Sequence, residues 1–142
     1  MTDSVMAYYD ERATVIAVSL LKLRDLKPIQ LLKDLLTFIP NPGHIRAILT
    51  HAVVKVVDDD PQSALWLFQH PDVLEPEIQV KAVIVQALTQ KLYALGYTSH
   101  DVRVTDDYHL NFSEAAIHIL RSQSDPDQED VITLIQALSS SQ

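Results

Sequence analysis

Residues 77–95 read EIQVKAVIVQALTQKLYAL, and the reading of this stretch decides the fold. Ile78, Ala82, Val85, Leu88, Leu92 and Leu95 recur at spacings of three and four, which is one face of a helix. Val80, Val83, Ile84 and Ala87 widen that face, so the spacing predicts a buried helix covered on two sides. Pro76 suits a helix first turn, where its missing N–H costs nothing. Glu75 and Glu77 favour the same end through the helix dipole. Gly96 is placed to stop the helix.

The stretch has copies. IRAILTHAVVKV from Ile45 aligns with VKAVIVQALTQK from Val80, each pair 35 positions apart, as in Arg46 with Lys81, Ala47 with Ala82, His51 with Gln86 and Ala52 with Ala87. VITLIQAL, Val131 to Leu138, aligns 50 positions on, so that Gln136, Ala137 and Leu138 match Gln86, Ala87 and Leu88. The additional length falls on residues 97–112, read as an insertion. A shorter apolar segment and a proline-bearing turn precede each copy: LLKDLLTFI before PNPG, SALWLFQ before HPDVLEP, SEAAIHILRS before QSDPDQE. Helix, turn, helix at a period in the thirties is the pattern of stacked helical pairs. In its leucines, turn prolines, apolar-basic pair and small-residue position, LLTFIPNPGHIRAILTHAV resembles HEAT-type repeats. Armadillo-like and unrelated helical hairpins share the pattern. The resemblance implies an all-α stack of antiparallel helical hairpins, about three pairs, behind an N-terminal capping helix over 1–27. On this alignment Ala87 is a close-packing position, because Ala52 and Ala137 are small too.

Bulk properties set the class. With 142 residues the chain reads as one domain, 1–142, and 47% hydrophobic residues argue for a folded core. Two glycines are too few for an all-β fold. The absence of cysteine excludes disulfides and thiolate chemistry and leans toward a reducing compartment. A net charge of −8 disfavours nucleic acid and anionic membrane as partners. The start, MTDSVMAYYDE, lacks the basic region of a signal peptide, and no apolar run is long enough to span a bilayer. The expectation is a cytoplasmic protein.

Along the chain, Asp3 or Ser4 is expected to cap a first helix running to about Leu26, with Tyr8 and Tyr9 packing. Pro28 opens a second to about Ile39, and a third runs from His44 to about Val57. Asp60 before Pro61 is an N-cap, with Asp58 and Asp59 near the same helix start. Trp66 reads as a core anchor. Val102 and Val104, then Tyr108, Leu110 and Phe112, alternate around Asp106-Asp107, so 101–112 reads as a small β-hairpin. Ser113 caps the next helix, Asp125-Pro126-Asp127 starts the last, and 139–142 should fray.

Chemistry is sparse. None of the six histidines has metalloprotease spacing, and no phosphate-binding glycine loop occurs. His100, Asp101, Asp106, Asp107 and His109 form the one candidate metal cluster, which a solvated loop tip explains as well. No cofactor is implied. The expected function is a non-enzymatic protein–protein interaction module, an adaptor, assembly factor or inhibitor. The alternative is a metal-dependent regulator or enzyme using the 100–109 loop. The second helices of stacked pairs line a groove, which nominates Arg46, His51, Lys55, Lys81, Gln86, Gln90 and Tyr93 as partner-binding residues. Its three bases suggest an acidic peptide. The last helix ends the stack, so Val131 and Ile135 are expected to face outward, and a two-fold homodimer is expected through that helix or the hairpin beside it.

Overall fold

The computed structural model describes residues 3–122 and 129–139, with side chains described for 11–122 and 130–139. Among these stand seven α-helices: α1 (Asp3–Leu21), α2 (Leu26–Leu36), α3 (Pro42–Asp59), α4 (Pro61–Gln69), α5 (Val80–Ala94), α6 (Glu114–Ser122) and α7 (Glu129–Leu138). A 3-10 helix, Pro71–Leu74, precedes α5, and strands β1 (Val102–Val104) and β2 (Leu110–Phe112) precede α6. The protein is mostly helical with one small antiparallel sheet. Among the described residues no helix is long and apolar enough to cross a membrane.

Local chemistry sets the helix ends. The Asp25 carboxylate accepts from the Lys27 N–H, so α2 opens before Pro28, not at it. The side chain of Asn41 accepts from the Gly43 N–H at 2.8 Å with Pro42 in the first turn, so α3 begins two residues before His44. Asp60 caps α4 through the Ser63 N–H and hydroxyl. The Ser113 hydroxyl caps α6 through the Ala116 N–H. Helix α1 stops at Leu21, short of Leu26, as the chain turns through Arg24 at a φ of 52°. Thr37 to Ile39 leave α2 through N–H bonds to the carbonyls three residues back. Helix α5 starts at Val80, not Glu77. Pro76 lies in the preceding turn, where the Lys33 ammonium holds the Glu75 carbonyl at 3.2 Å and the Glu77 carboxylate at 3.7 Å. The far end is as read. Gly96 takes a φ of 107°, its N–H bonds Tyr93 O, and the Tyr97 N–H reaches back to Leu92 O, a Schellman closure.

Helices α1, α3 and α5 form one layer, with α3 packed along both neighbours. All three run parallel, because salt bridges join their C-terminal ends: Lys22 to Asp59 at 3.8 Å and Lys91 to Asp58 at 3.1 Å. Asp58 and Asp59 therefore belong to the last turn of α3, where the helix dipole disfavours them, rather than to the start of α4. Helix α2 lies against α1 and the 3-10 helix, α4 lies against α3 and α5, and α7 packs on α4. The core runs between, with Leu21, Leu49, Val53, Val57, Leu67, Ile84, Leu88, Leu92 and Leu134 almost wholly buried. Trp66 packs against this core and stacks on the His70 ring at 4.4 Å.

Strands β1 and β2 form a hairpin, with Val102 opposite Phe112 and Val104 opposite Leu110. The Tyr108 N–H bonds Thr105 O, and Tyr108 follows at a φ of 61°, the usual geometry of a three-residue hairpin loop. Val102, Leu110 and Phe112 are buried, whereas Val104 is exposed at the rim. Leu110 also bridges Ser139, whose hydroxyl bonds Ile135 O, so position 139 is docked instead of frayed. The side chains of Asp3, Ser4, Tyr8 and Tyr9, the helix start at 125–127 and residues 140–142 lie outside the described residues.

The aligned copies share part of their burial. Leu49 and Ile84, Val53 and Leu88, and Val57 and Leu92 are buried in both α3 and α5. Ala52 is wholly buried, but Ala87 is half-buried at a groove and Ala137 is exposed. The overpacking expected at Ala87 thus moves to Ala52. Ala52→Leu should lose about 1–3 kcal/mol in a denaturant melt, while Ala137→Leu should stay within about 0.5 kcal/mol of the wild type. Equal melts for the two would contradict this packing.

Candidate functional site

Two shallow grooves flank the exposed side of α3. Thr50, Val54 and Asp58 follow at steps of four and form a ridge on one face. On one side of it, Val83, Gln86, Ala87, Gln90, Lys91 and Ala94 of α5 complete a groove of about 560 Å³. On the other, Glu11, Thr14 and Val15 of α1 with His51 and Lys55 of α3 complete a groove of about 640 Å³. Val54 and Asp58 line both. The floor is apolar, from Val15, Val54, Val83 and Ala87, while the rim mixes His51, Lys55, Gln86 and Gln90 with Glu11 and Asp58. Because Lys91 is spent on Asp58, the rim has no strong sign of charge.

Of the partner-binding residues nominated from the sequence, His51, Lys55, Gln86 and Gln90 come together here. Arg46, Lys81 and Tyr93 line neither groove. Lys81 is half-buried, with its ammonium 5.4 Å from the centre of the Phe68 ring, a cation–π contact on another side of α5. Arg46 and Tyr93 are exposed elsewhere on their helices. The contribution of α1 was not legible, since ATVIAVSLLKL reads as a buried helix, yet Val15 is 59% exposed at the groove.

The hairpin residues are occupied with local structure. The Asp101 carboxylate accepts from the Thr98 N–H at 2.8 Å and from its hydroxyl. Asp107 accepts from the Thr105 hydroxyl. That bond, helped by the nearby His109, holds the Asp107 carboxyl below the usual range. The His109 ring also meets Phe68 edge-on at 5.7 Å. His100 and Asp106 are exposed. Among the described residues no three His, Asp or Glu side chains gather at a spacing that suits a metal ion.

The C-terminal helix differs from expectation. Ile135 is 3% exposed and Val131 packs against the core, so the outward face assigned to them faces inward. The physical reason is the contact of α7 with α4, which claims the same side that α5 buries: Leu134, Ile135 and Leu138 align with Ile84, Val85 and Leu88, all buried.

Tyr97 is 8% exposed, and its hydroxyl is buried with no hydrogen-bond partner. Burial first, and then the charge of Asp101, push that hydroxyl above its ordinary value of 10.0. A raised folded-state value means the tyrosinate is disfavoured in the fold. Stability is therefore whole below the ordinary tyrosine range and falls as pH rises through and above it. Tyr97→Phe should be neutral or stabilising by up to about 1 kcal/mol at neutral pH, since no bond is lost. It should also flatten the alkaline decline. Urea melts across pH check both, and a clear loss of stability at neutral pH would show an unseen partner.

Compared with known protein families, curated proteins and solved structures, the chain matches none of them.

Proposed function

We propose that the protein is a non-enzymatic interaction module that docks a segment of a partner protein across the α1–α3–α5 face. The observation that carries this is the pair of grooves sharing Val54. Three parallel helices offer a continuous apolar floor with polar groups at its edges, the composition of a peptide-docking surface. We read the arrangement as HEAT-like stacking. In its support, the Lys22–Asp59 and Lys91–Asp58 bridges relate neighbouring helices at separations in the thirties, as repeating units would. The tight contacts of α1 with α2 and of α3 with α4 favour pairs formed one helix earlier than the sequence suggests. The lack of cysteine suits a cytoplasmic setting. Mixed rim charge favours a partner segment of mixed charge over an acidic one.

Site-specific photo-crosslinking tests the reading. A crosslinking side chain at Gln86 or Gln90, both exposed, should capture one discrete partner in cells of the source organism. The same group at Gln69, exposed but outside both grooves, should not. His51→Glu combined with Gln86→Glu should weaken binding of that partner at least about tenfold, equivalent to about 1.4 kcal/mol. Identical capture from all three positions would refute the groove.

A further inference from the structure

Helix α2 buries one side and leaves apolar groups on the other. Ile29, Leu32 and Leu36 enter the core, whereas Leu31, Leu35 and Phe38 are 52%, 47% and 85% exposed. These three follow at steps of four and three, so they form one stripe, with Phe38 in the turn that prolongs α2. Lys27, one turn before Leu31, and Asp34, one turn before Phe38, stand on the same stripe. Among the described residues Lys27 has no ion-pair partner, and the Asp34 carboxylate accepts a hydrogen bond from Gln30 and forms no ion pair. Three large exposed apolar groups in line exceed the scattered ones a surface normally carries.

Around the stripe the charges largely cancel: Lys22 is paired with Asp59 and Lys33 with Glu77, which leaves Lys27 and Asp34 as the stripe's own opposite charges. Two copies of a chain of net charge −8 repel, and a face whose charges cancel opposes their approach little.

We infer that two copies of this chain pair through α2, antiparallel about a two-fold axis near Leu31. The midpoint of Lys27 and Asp34 falls between residues 30 and 31. An antiparallel pair centred there sets Lys27 of one copy beside Asp34 of the other, twice. The same register carries Phe38 toward the Leu23 region of the second copy, where Leu23 is itself 60% exposed. The stripe is thus complementary to itself, as a two-fold contact requires. An acidic peptide or an anionic bilayer would meet Asp34 with like charge, and a basic partner would meet Lys27. This surface lies apart from the α1–α3–α5 grooves and does not depend on their function.

Sedimentation velocity of the full chain, from micromolar to sub-millimolar concentration, tests the pairing. The wild type should pass from monomer to dimer mass. Leu35→Asp and Phe38→Ser should each remain monomeric throughout, with wild-type helicity and melting, because both side chains are exposed. Lys27→Asp and Asp34→Lys should each weaken association at least about threefold, the scale of an exposed pair, and their combination should restore it. His51→Glu with Gln86→Glu should dimerise normally, which separates this test from that of the grooves. A monomer at every concentration, a dimer indifferent to Leu35→Asp and Phe38→Ser, or a combined reversal that restores nothing overturns the inference. So does binding to phosphatidylserine vesicles through the stripe by a protein that stays monomeric.

Discussion

Helix α3 has to be covered on both flanks, and the rest of the architecture answers that demand. Ile48, Leu49, Ala52, Val53, Val56 and Val57 are all buried, more of its circumference than one neighbour can cover. Each large aliphatic side chain removed from water contributes on the order of 1.5–3 kcal/mol. The two bridges at the C-terminal ends are partly exposed and contribute at most about 1 kcal/mol each. Burial therefore holds the layer together, while Lys22 and Lys91 fix how far α1 and α5 slide along α3. That role also accounts for Asp58 and Asp59 at a helix end whose dipole opposes them.

The two ends of the layer are treated differently. At the C-terminal end the hairpin and α7 close over α4: Leu110 bridges Ser139, and His109 leans on Phe68. A two-stranded hairpin is marginal by itself, and here the burial of Val102, Leu110 and Phe112 holds it in place. At the N-terminal end α1 is packed against α3 and α2, but among the described residues none covers the outer side of α2. The Leu31, Leu35 and Phe38 stripe on that side is exposed and apolar. The grooves arise from the same layer. Parallel helices joined at one end and bearing a row of half-buried residues, Thr50 and Val54 with Val83 and Ala87, leave channels between them.

Periodicity and turn chemistry were enough to specify the elements. Spacings of three and four marked the helices, alternation around Asp106-Asp107 marked the hairpin, and Gly96 marked the end of α5, because backbone hydrogen bonding and local sterics act within a few residues. The same local information placed His51, Lys55, Gln86 and Gln90 on exposed helix faces. It also contained a warning about Ile135, which aligns with the buried Val85. What it lacked was the neighbour of each face. Whether Ala52, Ala87 or Ala137 is the tight position, whether Lys81 faces a partner or Phe68, and whether Val15 is core or groove all depend on which helices lie side by side. Those pairings form between residues tens of positions apart, through non-directional burial that any apolar face can satisfy, so only the tertiary structure decided them.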